Sequence, residues 1–385
     1  MALGREFDPR ERLSLGQKLA DVNWLLLLLL CLAATFGFAM LYSAANGSFS
    51  PWASRQLLRF GAGLLLLLAV ALVDIRFWFR YAYALYALAL ALLAGVELMG
   101  VVGMGAKRWL DLGLFQLQPS EIMKVALILA LARYFHGIAH EDIGRIPLLL
   151  VPLAITAAPA ALVIRQPDLG TAALIVMVAV AMFFLAGVRF WKFALGGTVV
   201  LAAVPLAWRF VLHDYQRQRV LIYLNPESDP LGAGYHIMQS KIALGSGGLF
   251  GKGFMLGTQS HLNFLPEQQT DFIFTMLAEE FGLVGCLALL GLYLLILAYG
   301  FAIALRARSQ FARLLAMGVM VTFFLYIFIN IAMVTGLVPV VGVPLPLVSY
   351  GGTALMTLLV SFGLVVSSYI HRDVLIARRP DFNGP

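Results

Sequence analysis

The chain has 385 residues, of which 61% are hydrophobic and only 12% are charged, and its mean hydropathy is +0.90. This composition lies well beyond that of soluble proteins and leaves no room for a soluble domain. The net charge of +7 does not indicate nucleic-acid binding, because a Lys/Arg excess in a membrane protein reports first topology and then contact with anionic lipid headgroups.

Ten apolar segments predict an all-α polytopic integral membrane protein with ten transmembrane helices and one large extracytoplasmic loop. Each is long enough to cross hydrocarbon of roughly 30 Å. They lie at 23–41, 57–74, 79–99, 119–136, 147–165, 170–187, 190–211, 271–303, 312–335 and 347–370. The eighth is longer than a bilayer requires, so we expect it to tilt or to project from the surface.

The basic residues predict the orientation of these spans. Ten spans place both termini on one side, and 16 of the 27 Lys and Arg lie in the short loops and tails of that side. Short basic loops stay in the cytoplasm. We therefore expect a cytoplasmic tail at 1–22, a transmembrane domain at 23–370 whose large loop at 212–270 lies outside, and a cytoplasmic tail at 371–385. The unusual polar residues then gather on the outer face.

One of these outer polar residues, Asp271, stands where a Pro-containing polar segment passes into a long apolar helix. Thr270 is the predicted N-cap, and Asp271 the first turn of the helix. An ionisable group at the mouth of a membrane helix is a functional candidate, here a general base. Ordinary helix capping is the alternative that the local sequence leaves open.

Several other outer residues are candidates for contact with an anionic headgroup. Glu121 and Lys124 are three residues apart, so they share one helix face. They form either a buried pair that fastens this helix to a neighbouring one or a cationic floor for a ligand. Asp168 and Trp109 also have simpler explanations, as a turn residue and an interfacial anchor. The full set of binding candidates is Arg55, Arg108, Trp109, Glu121, Lys124, Asp168, Arg217, Arg219, Gln239, Ser240 and Glu267.

Three familiar features are not predicted: a phosphate-binding loop, a disulfide framework and a histidine metal site. The glycine-rich segment 245–253 resembles a phosphate-binding loop, but Ser246 and Gly253 stand where that motif needs Gly and Ser/Thr. We expect a flexible, re-entrant or interfacial turn there instead. Cys31 and Cys286 fall inside apolar runs, so no disulfide framework is predicted. The six histidines show no metal-ligand spacing.

This inventory of one candidate base and several cations suits chemistry on an anionic substrate whose lipid tail stays in the bilayer. A carboxylate can take a proton from an attacking hydroxyl, while Lys, Arg or a metal stabilises a departing pyrophosphate. The same residues would suit a flippase that binds such a headgroup without reacting. Residue types alone do not decide between the two.

Eight motifs distributed along the chain carry a resemblance to one family. They are Lys107-Arg-Trp-Leu-Asp111, Gln118-Pro-Ser-Glu121, Gln166-Pro-Asp-Leu-Gly-Thr171, Tyr215-Gln-Arg-Gln-Arg219, Asp229-Pro-Leu-Gly-Ala-Gly-Tyr-His236, Phe264-Leu-Pro-Glu267, Thr270-Asp-Phe-Ile-Phe274 and Pro344-Leu-Pro-Leu-Val-Ser-Tyr-Gly-Gly352. In this order, from about residue 20 to 372, the chain resembles the SEDS family, and its elongation branch (RodA) more than its division branch (FtsW).

The resemblance implies a peptidoglycan glycosyltransferase that polymerises lipid II on the periplasmic face of the bacterial inner membrane during cell elongation. It implies a class B penicillin-binding protein transpeptidase and elongation-complex membrane proteins as partners. A lipid II flippase and a non-catalytic scaffold for the transpeptidase are the alternatives. A Mg or Mn requirement is left open.

The resemblance also implies roles for particular residues. Asp271 matches the family's essential Asp, the general base of an inverting transfer. The outer-face functional residues match Arg55, Trp109, Glu121 and Lys124, and we expect these with Asp271 to line a groove closed toward the cytoplasm. We further expect Arg55, Lys124 and Arg219 to hold the pyrophosphate. This chain has Gln268-Gln269 where the family often has His or Arg, which removes any basic side chain there.

Overall fold

The computed structural model describes residues 14–103, 106–111, 113, 116–139, 141–210, 214–225, 233–261 and 267–377. These parts of the chain are overwhelmingly helical, with one small antiparallel sheet. The elements are α1 (Leu15–Ala20), α2 (Trp24–Ala44), α3 (Trp52–Leu72), α4 (Ile75–Met99), β1 (Val101–Gly103), β2 (Ala106–Asp111), β3 (Gln116–Leu117), α5 (Pro119–His136), α6 (Ile146–Arg165), α7 (Leu169–Ala186), α8 (Phe190–Phe210), α9 (Asp214–Leu224), α10 (Ala233–Ser246), α11 (Thr258–His261), α12 (Ile273–Arg306), α13 (Gln310–Val334) and α14 (Gly352–Ile370).

Nine of the described helices are long and apolar enough to cross a membrane. They are α2, α3, α4, α6, α7, α8, α12, α13 and α14. The predicted all-α, multi-pass membrane fold is therefore confirmed. Helix α5 corresponds to the remaining predicted span, but Glu121, Lys124 and Arg133 make it less apolar than the others. The count of ten spans stays a prediction.

Helix α5 tolerates its charges because it lies inside the protein. Fourteen of its 18 residues are buried, and it packs against α4, α7 and α13. A charged side chain in a membrane helix is stabilised when it faces other helices rather than lipid. The N-terminal end of α5 therefore places Glu121 and Lys124 in the protein interior.

Helix α12 is not the continuous helix that its apolar sequence predicts. Gly282 breaks it with φ 64° and ψ −160°, nine residues or roughly 14 Å after its start. The glycine-rich segment 247–253 lies against this break and satisfies its backbone. The amides of Lys252 and Gly253 donate to the carbonyls of Glu279 and Glu280, each at 3.0 Å.

Helix α12 returns two hydrogen bonds to the same segment. The amides of Leu283 and Val284 donate to the carbonyls of Gly248 and Leu249 at 3.0 and 3.1 Å. Such an exchange requires close approach of two backbones. A Cβ at Gly282 would lie 2.3 Å from the Gly251 nitrogen, so only glycine fits. The glycine-rich segment is therefore a docked turn.

We expect Gly251→Ala to destabilise the fold strongly. Its Cβ would lie 2.1 Å from the Glu280 carbonyl oxygen, and its φ of +79° disfavours a side chain. The conformational cost is about 1–2 kcal/mol, and overpacking adds about 1–3 kcal/mol. Gly248→Ala is the matched control, because Gly248 also has positive φ but its Cβ would meet nothing within 4 Å. Thermal unfolding in detergent should show a much larger decrease for Gly251→Ala, and equal decreases would contradict this packing.

Two regions expected to be loops contain regular structure. Strands β1, β2 and β3 form an antiparallel sheet in that order between α4 and α5. Helices α9, α10 and α11 lie within the segment predicted as the large loop, at 212–270. The sequence signal was weak in both places, because the strands are short and these helices carry no long apolar run.

An irregular segment joins α13 to α14, as its Pro and Gly content predicts. We call residues 338–351 the strap. Irregular backbone needs hydrogen-bond partners when it is buried. The Tyr293 hydroxyl of α12 donates to the carbonyl of Pro346 at 2.6 Å, and the Gln56 amide nitrogen of α3 donates to the carbonyl of Ser349 at 3.0 Å. The strap is therefore fixed to two transmembrane helices.

Candidate functional site

A groove that is open to the surroundings lies between α5, α13, α14 and the strap. We call it the lateral groove. Its walls are mostly apolar, and two charged side chains of α5 line it, Glu121 and Lys124. The strap contributes residues 344–347, 349 and 351. An apolar groove with few, convergent polar groups is typical of a ligand site.

The charged end of the groove is a three-residue cluster. Lys124 Nζ and Glu121 Oε1 are 2.7 Å apart, and the Tyr326 hydroxyl of α13 donates to Glu121 Oε2 at 2.7 Å. The Lys124 ammonium also contacts the Tyr326 hydroxyl and lies 4.6 Å from the centre of its ring. Lys124 is only 2% exposed and Glu121 8%. The ion pair predicted from spacing is present, and both of its residues line the groove. Its use as a cationic floor for a ligand stays a prediction.

The sequence does not indicate a functional role for Tyr326, because aromatic residues are common in apolar helices. We expect Tyr326→Phe to lower turnover several-fold, since Glu121 loses a charge-assisted bond of about 1.5–3 kcal/mol. Tyr134→Phe is the control, because the Tyr134 hydroxyl donates to the Leu148 carbonyl away from the groove. A phenylalanine at 326 that leaves turnover at the control value would contradict a role for this hydroxyl.

The turn that carries Asp271 differs from the prediction. Helix α12 begins at Ile273, and its N-cap is Phe272, which makes no side-chain capping bond. Thr270 is therefore not the cap, and Asp271 precedes the helix. The Thr270 hydroxyl instead donates to the carbonyl oxygen and a carboxylate oxygen of Glu267, both at 3.1 Å. Glu267 has φ +51°, and the bond between its carboxylate and the Thr270 hydroxyl helps to close the turn.

Asp271 is partly exposed and lies against the strap. A Cβ built on Gly342, whose φ is +76°, would be 3.4 Å from Asp271 Oδ2. Glu121 and Lys124 line the lateral groove, whereas Arg55, Trp109 and Asp271 are not among its lining residues. The expectation of a single groove lined by all five residues stays a prediction. The strap lies beside both places, because residues 344–347, 349 and 351 line the groove and a Cβ on Gly342 would come within 3.4 Å of the Asp271 carboxylate.

Of the two arginines near the N-terminal end of α3, Arg59 rather than Arg55 meets the strap. Arg55 is exposed, whereas the Arg59 guanidinium lies 5.0 Å from the centre of the Tyr350 ring and close to Gly352. Arg55 and Arg59 are one turn apart, so both remain at the same end of the helix. Sequence spacing could not rank them.

Arg108 and Asp168 form a separate contact between β2 and the start of α7. Arg108 Nε is 3.5 Å from Asp168 Oδ2, and Arg108 Nη2 donates to the Pro167 carbonyl at 3.0 Å. Asp168 is the N-cap of α7, accepting from the Thr171 amide and hydroxyl. Asp168 therefore has the structural role in this turn that its sequence context indicates. Trp109 lies beside Arg108 on the same strand and is half-buried.

The candidates from the large loop occupy different environments. Ser240 is fully buried and bonds to the Thr275 hydroxyl and the Val334 carbonyl, which gives it a packing role and no surface for a ligand. Gln239, beside it, is half-buried. Arg217 donates to the Arg209 carbonyl at 3.1 Å. Arg219 lies in α9, but its side chain falls outside the described residues.

Buried carboxylates elsewhere on α12 have partners. Glu279 is fully buried, and its Oε1 is 2.8 Å from Lys252 Nζ and accepts from the Gln259 amide at 2.9 Å. Ser43 donates to Glu280. Among the residues that the structure describes, no three His, Cys, Asp or Glu side chains form a group that could hold a metal ion.

Comparison with known families gives one consistent result. A family model for FtsW, RodA and SpoVE, described as cell cycle proteins, matches residues 23–373. The peptidoglycan glycosyltransferase MrdB of Escherichia coli K12 is 46% identical over 350 residues, which are 91% of this chain and 94% of that protein. The peptidoglycan glycosyltransferase RodA of Treponema pallidum is 32% identical, with 90% and 97% covered.

Solved structures agree with this comparison. A chain from a study of how a peptidoglycan synthase complex coordinates polymerization and crosslinking superposes with a TM-score of 0.80 at 35% identity. The match covers 91% of this chain and 98% of the other. The rod shape determining protein RodA of Thermus thermophilus superposes with a TM-score of 0.69 at 32% identity, covering 91% and 97%.

Proposed function

The chain belongs to the SEDS family of FtsW, RodA and SpoVE proteins, and on that premise we propose that it is a peptidoglycan glycosyltransferase. It polymerises lipid II into glycan strands during cell elongation, at the periplasmic face of the bacterial inner membrane. Two named relatives carry this activity in their names. The observation that carries the proposal is the strap, which borders Asp271 on one side and the charged lateral groove on the other.

Asp271 is the proposed general base. Its carboxylate takes the proton of the acceptor GlcNAc 4-hydroxyl while that oxygen bonds to C1 of the donor MurNAc. The bond between C1 and the undecaprenyl pyrophosphate oxygen breaks, the pyrophosphate leaves with the electron pair, and the anomeric configuration inverts. Partial exposure of Asp271 allows an acceptor to approach. Asp271 precedes the N-terminus of α12, where the helix dipole favours a negative charge.

Lys124 is proposed to stabilise the leaving pyrophosphate. A buried ammonium at the edge of an apolar groove offers an anionic headgroup a site with little competing water. Glu121 and Tyr326 hold it there. Arg55 and Arg219 are proposed to add positive charge on the outer face. Arg59 is proposed for the same role, because its guanidinium packs against Tyr350 of the strap. A Mg or Mn ion remains an open part of this proposal.

The proposed arrangement keeps both lipid tails in the bilayer. The groove is bordered by α5, α13 and α14, and its mostly apolar walls suit polyprenyl chains. Both termini are proposed to be cytoplasmic, in agreement with the basic residues of the short loops. A class B penicillin-binding protein is the proposed partner, because one structurally similar chain comes from a complex that coordinates polymerization and crosslinking.

A flippase remains the second candidate because of the break in α12. Broken helices often mark substrate sites in transporters. Here, however, the broken backbone is occupied by the segment 247–253, and Glu279 is paired with Lys252. Both observations favour a structural role for the break.

Vesicles that contain fluorescent lipid II separate the two functions. We expect wild-type protein to form polymer and Asp271→Asn to form none. Equal transfer of lipid II between leaflets by both proteins, with polymer from neither, would overturn the enzyme proposal.

A further inference from the structure

The short turn at 269–271 is held by partners from outside its own helix. Its three consecutive carbonyl oxygens each accept a hydrogen bond. The Tyr350 amide donates to Gln269 at 2.8 Å, the Ser349 hydroxyl to Thr270 at 2.6 Å, and the Asn330 amide nitrogen to Asp271 at 3.0 Å. Two of these three donors are side chains, so two point mutations can remove them without altering the strap backbone.

Asn330 connects the turn to the strap. It is fully buried in α13, and its Nδ2 also donates to the Val343 carbonyl at 2.7 Å. Both neighbours are carbonyl oxygens, so only the NH₂ end of the amide can face them, and it uses both of its hydrogens. One side chain therefore fixes the Asp271 backbone and Val343, the residue next to Gly342, where a Cβ would lie 3.4 Å from the Asp271 carboxylate.

Ser349 connects the turn to the lateral groove. Its hydroxyl donates its only proton to Thr270 and accepts from the Leu345 amide at 2.7 Å. Ser349 and Leu345 both line the groove. Since its proton is used within the protein, Ser349 has none to donate to a ligand. The two hydrogen bonds of its hydroxyl therefore connect the groove wall to the turn that contains Asp271.

We propose that Asn330 and Ser349 are positioning residues that hold the Asp271 backbone in register with the groove wall. The proposal rests on the function proposed above. Neither residue needs to touch the reacting atoms. A turn outside a helix has no ladder of its own, so these side chains set where the carboxylate stands. Misplacement of a catalytic group by about 1 Å can cost about 10²-fold in rate.

The test is steady-state polymerisation of lipid II by purified full-length variants in vesicles. Ser349→Ala and Asn330→Leu should each lower kcat about tenfold or more with KM unchanged. Ser349→Thr keeps the donor and should recover most of kcat. Ser368→Ala is the matched control, because Ser368 is fully buried in α14 and its hydroxyl donates to the Leu364 carbonyl of the same helix.

The outcomes separate this inference from the proposed function. Wild-type kcat in both variants, or a loss that falls on KM, or a loss that Ser349→Thr does not recover, would overturn the positioning role. Asp271→Asn is measured in parallel. If that variant polymerises normally, the proposed base is wrong. If it is inactive while Ser349→Ala and Asn330→Leu keep wild-type kcat, only the positioning inference fails.

Discussion

Asp271→Asn is expected to abolish detectable polymerisation while the protein remains folded and inserted. The amide has nearly the same shape as the carboxylate but cannot accept the proton. Removal of a general base costs about 10²–10⁴ in rate. The backbone bonds that hold residues 269–271 do not involve the carboxylate, so the turn should keep its conformation. The measurement is kcat for lipid II, together with the midpoint of thermal unfolding.

Asp142→Asn is a suitable control for that variant. Asp142 is a surface residue paired with Arg145 between α5 and α6, away from the strap. It should retain wild-type kcat. Glycan strands of near-wild-type length and rate from Asp271→Asn would show that another group takes the proton.

Breaking the Glu121–Lys124 pair is expected to have the second-largest effect. Removing one partner of a buried ion pair typically costs about 3–5 kcal/mol, because the remaining charge is left in the interior. Glu121→Gln and Lys124→Met should each lower stability and turnover. The double variant should lose less than the sum of the two, since no uncompensated charge remains. Thermal unfolding and kcat of all four proteins complete the cycle.

The Asp142–Arg145 pair provides a matched comparison with the same spacing of three residues. Its Arg145 side chain is 72% exposed, so the solvent screens the charge. We expect no measurable coupling there. Strictly additive losses at Glu121 and Lys124 would contradict their direct interaction, and loss of stability without loss of turnover would restrict the pair to a structural role.

The sequence predicts the transmembrane framework well because hydrophobic length is a strong signal. Predicted spans at 119–136 and 147–165 agree closely with α5 (Pro119–His136) and α6 (Ile146–Arg165). The irregular strap was also expected, from its Pro and Gly residues. These features depend on composition within a short window, which a single sequence contains.

Features that depend on contacts between distant segments were not predictable. Gly282 looks like any tolerated helix glycine until the segment 247–253 lies beside it. The bond between the Tyr326 hydroxyl and Glu121 forms only because α13 packs against α5. The position of the strap beside both the groove and Asp271 likewise results from tertiary packing. Spacing brought Glu121 and Lys124 together because one helix carries both.

The roles of Ser349 and Asn330 show the same limit. Each is a short polar residue near a helix end or turn, where local capping is the usual function. Ser349 is 79 residues from its partner Thr270 in sequence, and Asn330 is 59 residues from its partner Asp271. No local pattern encodes such a pairing. Only the folded structure brings these two side chains to the backbone carbonyls of Thr270 and Asp271.

The central claim is that this chain itself joins lipid II units and does so through Asp271. The most direct measurement is gel separation of glycan strands made from purified labelled lipid II in vesicles, with wild type or Asp271→Asn, each with and without the transpeptidase partner. We predict strands from wild type, at least when the partner is present, and none from Asp271→Asn in either condition. Strands from Asp271→Asn, or no strands from wild type even with its partner, would contradict the claim.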